Sequence, residues 1–241
     1  MSLLYSLPYA TDLIGTAWEQ ILADIKGGTW TEMRDNRPRP DVTAKEGGRD
    51  VNYSVKTEGL RVSADRPNAR AFLGHYEDLI VARPKVDELL GRGETIDALD
   101  ANQLGAKVLA YYNEQIVAKY QWHVLSILLR VEARGFIYWE EKPPAVYRPG
   151  DYWWQDSGRA TGSNRNINGY PRAVAATTRP LPRAKFKWTS GGKQFYVLYP
   201  IPRDADVWEI SPTELTLQEV REALREKIRA KKRISGQGPV T

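Results

Sequence analysis

From Arg39 to Thr57 the chain reads Arg-Pro-Asp-Val-Thr-Ala-Lys-Glu-Gly-Gly-Arg-Asp-Val-Asn-Tyr-Ser-Val-Lys-Thr. The pattern predicts a strand over 41–45, a Gly47-Gly48 turn and a second strand over 49–57. Side chains alternate along a strand, so Val51, Tyr53 and Val55 share one face, and Asp50, Asn52, Ser54 and Lys56 the other. The hairpin folds Asp41 back towards the end of the second strand. A carboxylate and a lysine thus converge on one polar face, which suits metal-assisted phosphodiester hydrolysis. Mg²⁺ takes carboxylate, water and phosphate oxygens. It polarises the phosphoryl group and acidifies the attacking water. A nearby ammonium steers that water or stabilises the charge growing on phosphorus.

The elements that must position these groups are readable on both sides of the hairpin. A helix is predicted over 12–26, capped by Thr11, with Ile14, Trp18, Ile21, Leu22 and Ile25 as one apolar stripe and Gly27-Gly28 as its stop. Further helices are predicted over 68–81, 85–91 and 101–120, the last capped by Asp100 with Leu104, Val108, Tyr112 and Ile116 at helical spacing. Apolar runs over 122–131 and 136–140 read as buried strands. Between Lys142 and Pro182 the composition shifts to Pro, Gly, Asn, Arg and aromatics, and a second hairpin follows over 185–189 and 194–199. A capping box at Ser211 to Glu214 opens a C-terminal helix over 212–233, and 235–241 forms a fraying tail. Interleaved strands and helices predict an α/β fold, a mixed β-sheet flanked by helices, with a part rich in β-hairpins and loops towards the C-terminus.

Pro40-Asp41 and Ser54-Val55-Lys56 resemble the two halves of the Pro-Asp…(Asp/Glu)-x-Lys nuclease motif, in particular that of type II restriction endonucleases. The motif halves cover under 20 residues, and the likeness in element order extends loosely over 11–140. The resemblance implies a restriction-endonuclease-like core, Mg²⁺ as cofactor, and cleavage of double-stranded DNA by a homodimer. It makes the chain a single nuclease domain, with a catalytic core over 11–140 and a recognition region over 142–210. Asp41 and Lys56 take the catalytic positions. Ser54 stands where the family carries its second acid, so that carboxylate must come from elsewhere. Glu77 on the predicted 68–81 helix and Glu58 just past the strand rank first. Asp50 on the same face and Glu19 on the first helix follow. The expected metal ligands are then Asp41, Asp50 and Glu77.

A second set of residues has the make-up of a reading surface. Tyr152 to Arg172 is rich in Arg, Asn, Gly and aromatics. Arg pairs bidentately with guanine, and Asn or Gln with adenine. Arg159, Asn164, Arg165, Asn166 and Asn168 are candidate DNA contacts, against the plainer reading of a polar loop anchored by Trp153 and Trp154. Arg229 and Lys231 on the basic C-terminal helix are candidate phosphate contacts, against the plainer reading of a solvated helix face. His123 reads as a structural histidine in an apolar strand, and His75 as a surface residue.

Composition narrows the remaining classes. The 241 residues carry 35 Lys and Arg against 30 Asp and Glu, a net charge of +5, with no cysteine and two histidines. Disulfides, thiolate metal sites and cysteine nucleophiles are excluded, and any metal must use oxygen ligands. No apolar run is long enough to span a bilayer, so no membrane partner is expected. The first residues lack the basic and apolar regions of a secretory signal, so a cytoplasmic location is expected. No phosphate-binding glycine loop or serine elbow is present. The function expected is a Mg²⁺-dependent site-specific endonuclease acting on duplex DNA. The alternative is a non-catalytic DNA-binding or virion structural protein with a degenerate nuclease-like site.

Overall fold

The computed structural model describes residues 10–31, 40–118, 121, 123–131, 135–157, 164–178, 180–209 and 222. The predicted C-terminal helix with Arg229 and Lys231, the 235–241 tail and Arg159 lie outside these residues. The chain is mixed α/β and forms two compact units, each built from separate stretches of sequence. The first comprises 1–73, 123–142 and 204–241; the second comprises 74–122 and 143–203. The sequence predicts a single domain with a core over 11–140 and a recognition region over 142–210. The discontinuity escapes it because residues 123–142 pair with strands far away in sequence.

In the first unit, helix α1 (Ala10–Lys26) precedes β1 (Thr29–Trp30), β2 (Val42–Glu46) and β3 (Arg49–Leu60). Thr11 lies inside α1 and does not precede it. The chain later adds β5 (Val124–Val131), β6 (Gly135–Glu141) and β11 (Asp206–Glu209). The sheet runs β1-β2-β3-β5-β6-β11. β3 and β5 are parallel, and the other pairs are antiparallel. Gly47 and Gly48 close the β2–β3 hairpin with φ of 58° and 80°, the two positive values that a two-residue type I′ turn demands.

One face of this sheet receives α1. Trp18, Ile21 and Leu22 pack on Val42, Ala44, Tyr53, Val55, Val124, Leu128, Phe136, Tyr138 and Trp208. Trp18 meets Tyr138 edge-on at 5.3 Å, and Tyr138 stacks on Trp208 at 5.7 Å. From Trp18 to Ile25, the stripe read along the first helix meets Val42 and Ala44 of β2 and Tyr53 and Val55 of β3.

In the second unit, β4 (Tyr76–Ala82), β7 (Tyr152–Asp156), β8 (Asn166–Pro171), β9 (Phe186–Thr189) and β10 (Gln194–Pro200) form a sheet in the order β4-β10-β9-β8-β7. Every pairing in it is antiparallel. Helix α2 is a single turn, Val86–Leu89; helix α3 spans Ala101–Ala110 and continues with π-helical winding to Ala118. Asp100 accepts from the Gln103 amide at 2.8 Å, and Gln103 returns the bond at 2.9 Å, a full capping box. The Trp154 indole is buried in a slot between α3 and β8. A Cβ on Gly105 would come within 2.2 Å of it, and one on Gly169 within 2.9 Å.

Two stretches depart from the sequence reading. The 68–81 helix is replaced by a 3₁₀ turn, Ala69–Phe72, and strand β4. Gly74, at φ 78°, breaks any helix there, and Leu79 and Val81 then alternate into the core. The aperiodic stretch after Lys142 contains β7 and β8, whose alternation is hidden because Gly169 occupies an inward position opposite Trp154. Among the described residues, no helix is long and apolar enough to cross a membrane.

Candidate active site

Asp41 stands one residue before β2 begins, at the side where β3 runs on past its partner to Leu60. Its N–H donates to the Tyr53 carbonyl at 3.0 Å, and its carbonyl accepts from Thr31 at 3.1 Å. Val55 lies beyond Tyr53, the last residue of β3 paired with β2. The Asp41 Oδ2 takes over and accepts from the Val55 N–H at 2.6 Å. The carboxylate is thereby held by backbone on a known bearing, next to the strand that carries Lys56.

Glu19 completes the cluster from above the sheet. It follows Trp18, which is buried against the strands, so its own side chain is held at the margin of the helix contact. The Trp30 indole N–H donates to Glu19 Oε2 at 2.9 Å. Burial pushes the Glu19 carboxyl above its usual range. The Trp30 bond opposes this, the Asp41 charge adds to it, and the Lys56 charge offsets it. Glu19 therefore lies within electrostatic reach of both Asp41 and Lys56. The Asp41 charge disfavours that of Glu19 in a partly desolvated place, an interaction that a divalent cation would relieve.

Ser54 is fully buried, and its Oγ has no hydrogen-bond partner among the described residues. The slot that the motif assigns to a second acid holds a small neutral group, and a carboxylate there would be stripped of water. Register places Asp50 opposite Lys45, while Asp41 precedes the Val42–Tyr53 pair. That is four residues along the strand from Asp41, about 13 Å. Asp50 is thus corrected from metal ligand to a residue of the turn end. Glu58 lies three residues beyond Val55 and accepts from the Gly59 N–H at 3.2 Å. Glu77 is on β4 in the second unit, where it accepts from the Asp78 N–H at 3.2 Å and lies 3.6 Å from Arg183. Its helix was the premise for ranking it first. Glu19, ranked behind these, is the carboxylate whose charge is coupled to Asp41 and Lys56. Among the described residues, no group of three or more His, Asp or Glu side chains gathers as a metal cage.

A second polar cluster, unforeseen from sequence, lies at the turn end of the same sheet. Lys26 contacts Glu140 at 2.7 Å and Glu46 at 3.5 Å, and Lys142 contacts Glu140 at 2.8 Å. Tyr53 donates to Glu46, and Tyr138 donates to Glu140 at 2.5 Å. Burial alone would raise Glu140, but the two lysines and Tyr138 bring it down to about 2. Burial and the adjacent glutamates hold both tyrosines above their usual value. With two lysines matched to two glutamates, this network is internally paired and reads as structural.

The candidate DNA contacts also find their places. Arg165 spends its guanidinium inside the second unit, on Asp156 at 2.7 and 3.1 Å, on the Ile96 carbonyl at 2.8 Å and on the Leu99 carbonyl. Its backbone N–H donates to Ser190 Oγ at 2.7 Å. Asn164 is exposed just before β8, and Asn166 and Asn168 are half-buried on it. His75 is exposed, and His123 accepts from the Asn52 N–H through Nδ1 at 3.0 Å. No protein-family model, curated protein or solved structure matches the chain.

Proposed function

We propose that this chain is a Mg²⁺-dependent phosphodiester hydrolase acting on double-stranded DNA, its specific form being a site-specific endonuclease of the restriction type. The observation that carries the reading is the coupling of Glu19 to Asp41 and to Lys56 at the start of β2, where Asp41 is held by the Val55 N–H. Mg²⁺ is commonly held by one or two carboxylates, with water and phosphate oxygens filling the octahedron, so this pair suffices without a third acid. In this reading Glu19 and Asp41 would hold the ion, and Lys56 would serve the attacking water or the scissile phosphate. The hydrogen bond from Val55 fixes one Asp41 oxygen and leaves the other to the metal. A homodimer would place two such sites on the two strands of one duplex.

The second reading, a non-catalytic DNA-binding or virion structural protein, draws on the buried Ser54. Incubation of supercoiled plasmid with and without Mg²⁺ separates the two. Metal-dependent conversion to linear or discrete fragments supports the endonuclease, and intact plasmid that is nonetheless bound supports the alternative.

A further inference from the structure

Helix α1 ends at Lys26, and the chain turns back at once. Gly27, at φ 63°, and Gly28 make the turn, with the Gly28 N–H donating to the Ala23 carbonyl at 2.8 Å. Gly28 then passes so close to β2 that a Cβ on it would collide with the Thr43 carbonyl oxygen. Glycine is the residue that permits this approach. It sets the register of β1, in which Thr29 faces Thr43 and Trp30 faces Val42. Thr31 continues the pairing, its N–H donating to the Asp41 carbonyl at 3.1 Å. The Trp30 indole is half-buried, packs on the core of the unit, and donates to Glu19 Oε2 at 2.9 Å. Two neighbouring residues therefore hold both acids of the proposed site, Glu19 by its side chain and Asp41 by its backbone.

We infer that Trp30 is a positioning residue for divalent-cation binding, its indole N–H fixing the bearing of the Glu19 carboxylate so that Glu19 and Asp41 serve one ion. The inference rests on Glu19 and Asp41 as the acids of the proposed function and adds what holds them. An indole N–H only donates, so its bond to a carboxylate has one sense. The ring is kept in place by packing and cannot follow a swinging side chain. The bond joins residues 11 apart, so it ties the helix to the sheet edge and is no contact within the helix. It engages one oxygen of Glu19, as the Val55 N–H engages one of Asp41. A glutamate held in advance has less rotamer freedom to lose when an ion arrives. Mg²⁺ gains most from this, because it demands near-ideal octahedral geometry.

The test follows the ion alone, without DNA. Wild type labelled with 5-fluorotryptophan is titrated with Mg²⁺. The Trp30 fluorine resonance is identified by its absence from Trp30→Phe, or from Trp30→Tyr if the phenylalanine variant does not fold. That resonance should move with Mg²⁺, at the midpoint of the Mg²⁺-dependent rise in Tm, and should stay still in Glu19→Gln. Trp30→Phe keeps a packed ring and loses the donor. It should need about 10- to 100-fold more Mg²⁺ for the same rise in Tm, the usual loss when the partner of a metal ligand is removed. Its loss for Ca²⁺, which accepts looser geometry, should be smaller. At saturating Mg²⁺ its single-turnover cleavage should return to the wild-type rate, because a positioning residue does not touch the reacting atoms.

A Trp30 resonance that ignores Mg²⁺, an unchanged Mg²⁺ midpoint in Trp30→Phe, or equal losses for Mg²⁺ and Ca²⁺ would overturn the positioning role. A wild-type protein whose Trp30 resonance follows Mg²⁺ but which cuts no plasmid would leave that role standing and count against the hydrolase reading alone.

Discussion

Replacing Glu19 by Gln should separate catalysis from folding. Gln keeps an oxygen to accept from Trp30, so the 2.9 Å contact survives. What disappears is a negative charge that burial and Asp41 both penalise. A carboxylate whose folded pKa lies above 4.5 costs stability as pH rises from the unfolded value through the folded one, and the full cost stands above it. Each unit of that shift is worth about 1.4 kcal/mol. For a chain of this size, 1 kcal/mol moves Tm by about 2–4 °C. Glu19→Gln should therefore melt at the wild-type temperature or a few degrees above it near neutral pH. Cleavage should fall by more than about 100-fold, since residues one step further from a metal already cost 10- to 100-fold. Mg²⁺ at about 100 times its Kd should stabilise wild type by about 2.7 kcal/mol. That Mg²⁺-dependent rise in Tm should vanish in the variant. The assays are plasmid cleavage and thermal melts with and without Mg²⁺. A variant that cuts at the wild-type rate, or that melts many degrees lower, refutes the reasoning.

Lys56→Ala should leave the Mg²⁺-dependent rise in Tm intact while lowering the single-turnover cleavage rate about 100-fold or more, since electrostatic stabilisers of transition states contribute on that scale. Glu140, held near 2, should contribute about 3 kcal/mol above pH 4.5 and lose it as pH falls from 4.5 to 2. Chemical denaturation of wild type and Glu140→Gln across that range should show the difference between them shrinking towards acid. Gly105→Ala would drive a Cβ to 2.2 Å from the Trp154 ring and should cost about 1–3 kcal/mol, read as a lower Tm with an altered tryptophan emission.

The local signals that proved readable are those whose cause is local. Gly47-Gly48 demanded a two-residue turn, and the alternation of Val51, Tyr53 and Val55 then placed β3 against α1. Asp100 announces α3 as its cap, and the structure adds the reciprocal bond with Gln103. Where tertiary packing decides, sequence reasoning went astray. Ala69 to Ala82 has enough helix formers to suggest a helix, yet Gly74 and the buried Leu79 and Val81 make it a turn and a strand. Glu77 was favoured because of that helix. The approach of Glu19 to Asp41 depends on how α1 crosses the strands, which no spacing along the chain encodes. Arg165 has the side chain of a base reader, but its partners Ile96 and Leu99 come from a loop some 66 residues away.

In the proposed function, Glu19, Asp41 and Lys56 act as one metal-dependent cutting site. Its most direct test is single-turnover cleavage of supercoiled plasmid by wild type and Asp41→Asn, purified in parallel and started by Mg²⁺. Mg²⁺-dependent cleavage by wild type, with at least a 100-fold slower rate for Asp41→Asn at equal DNA binding, is the predicted result. Equal rates for the two proteins, or no cleavage by wild type at any Mg²⁺ concentration, would contradict it.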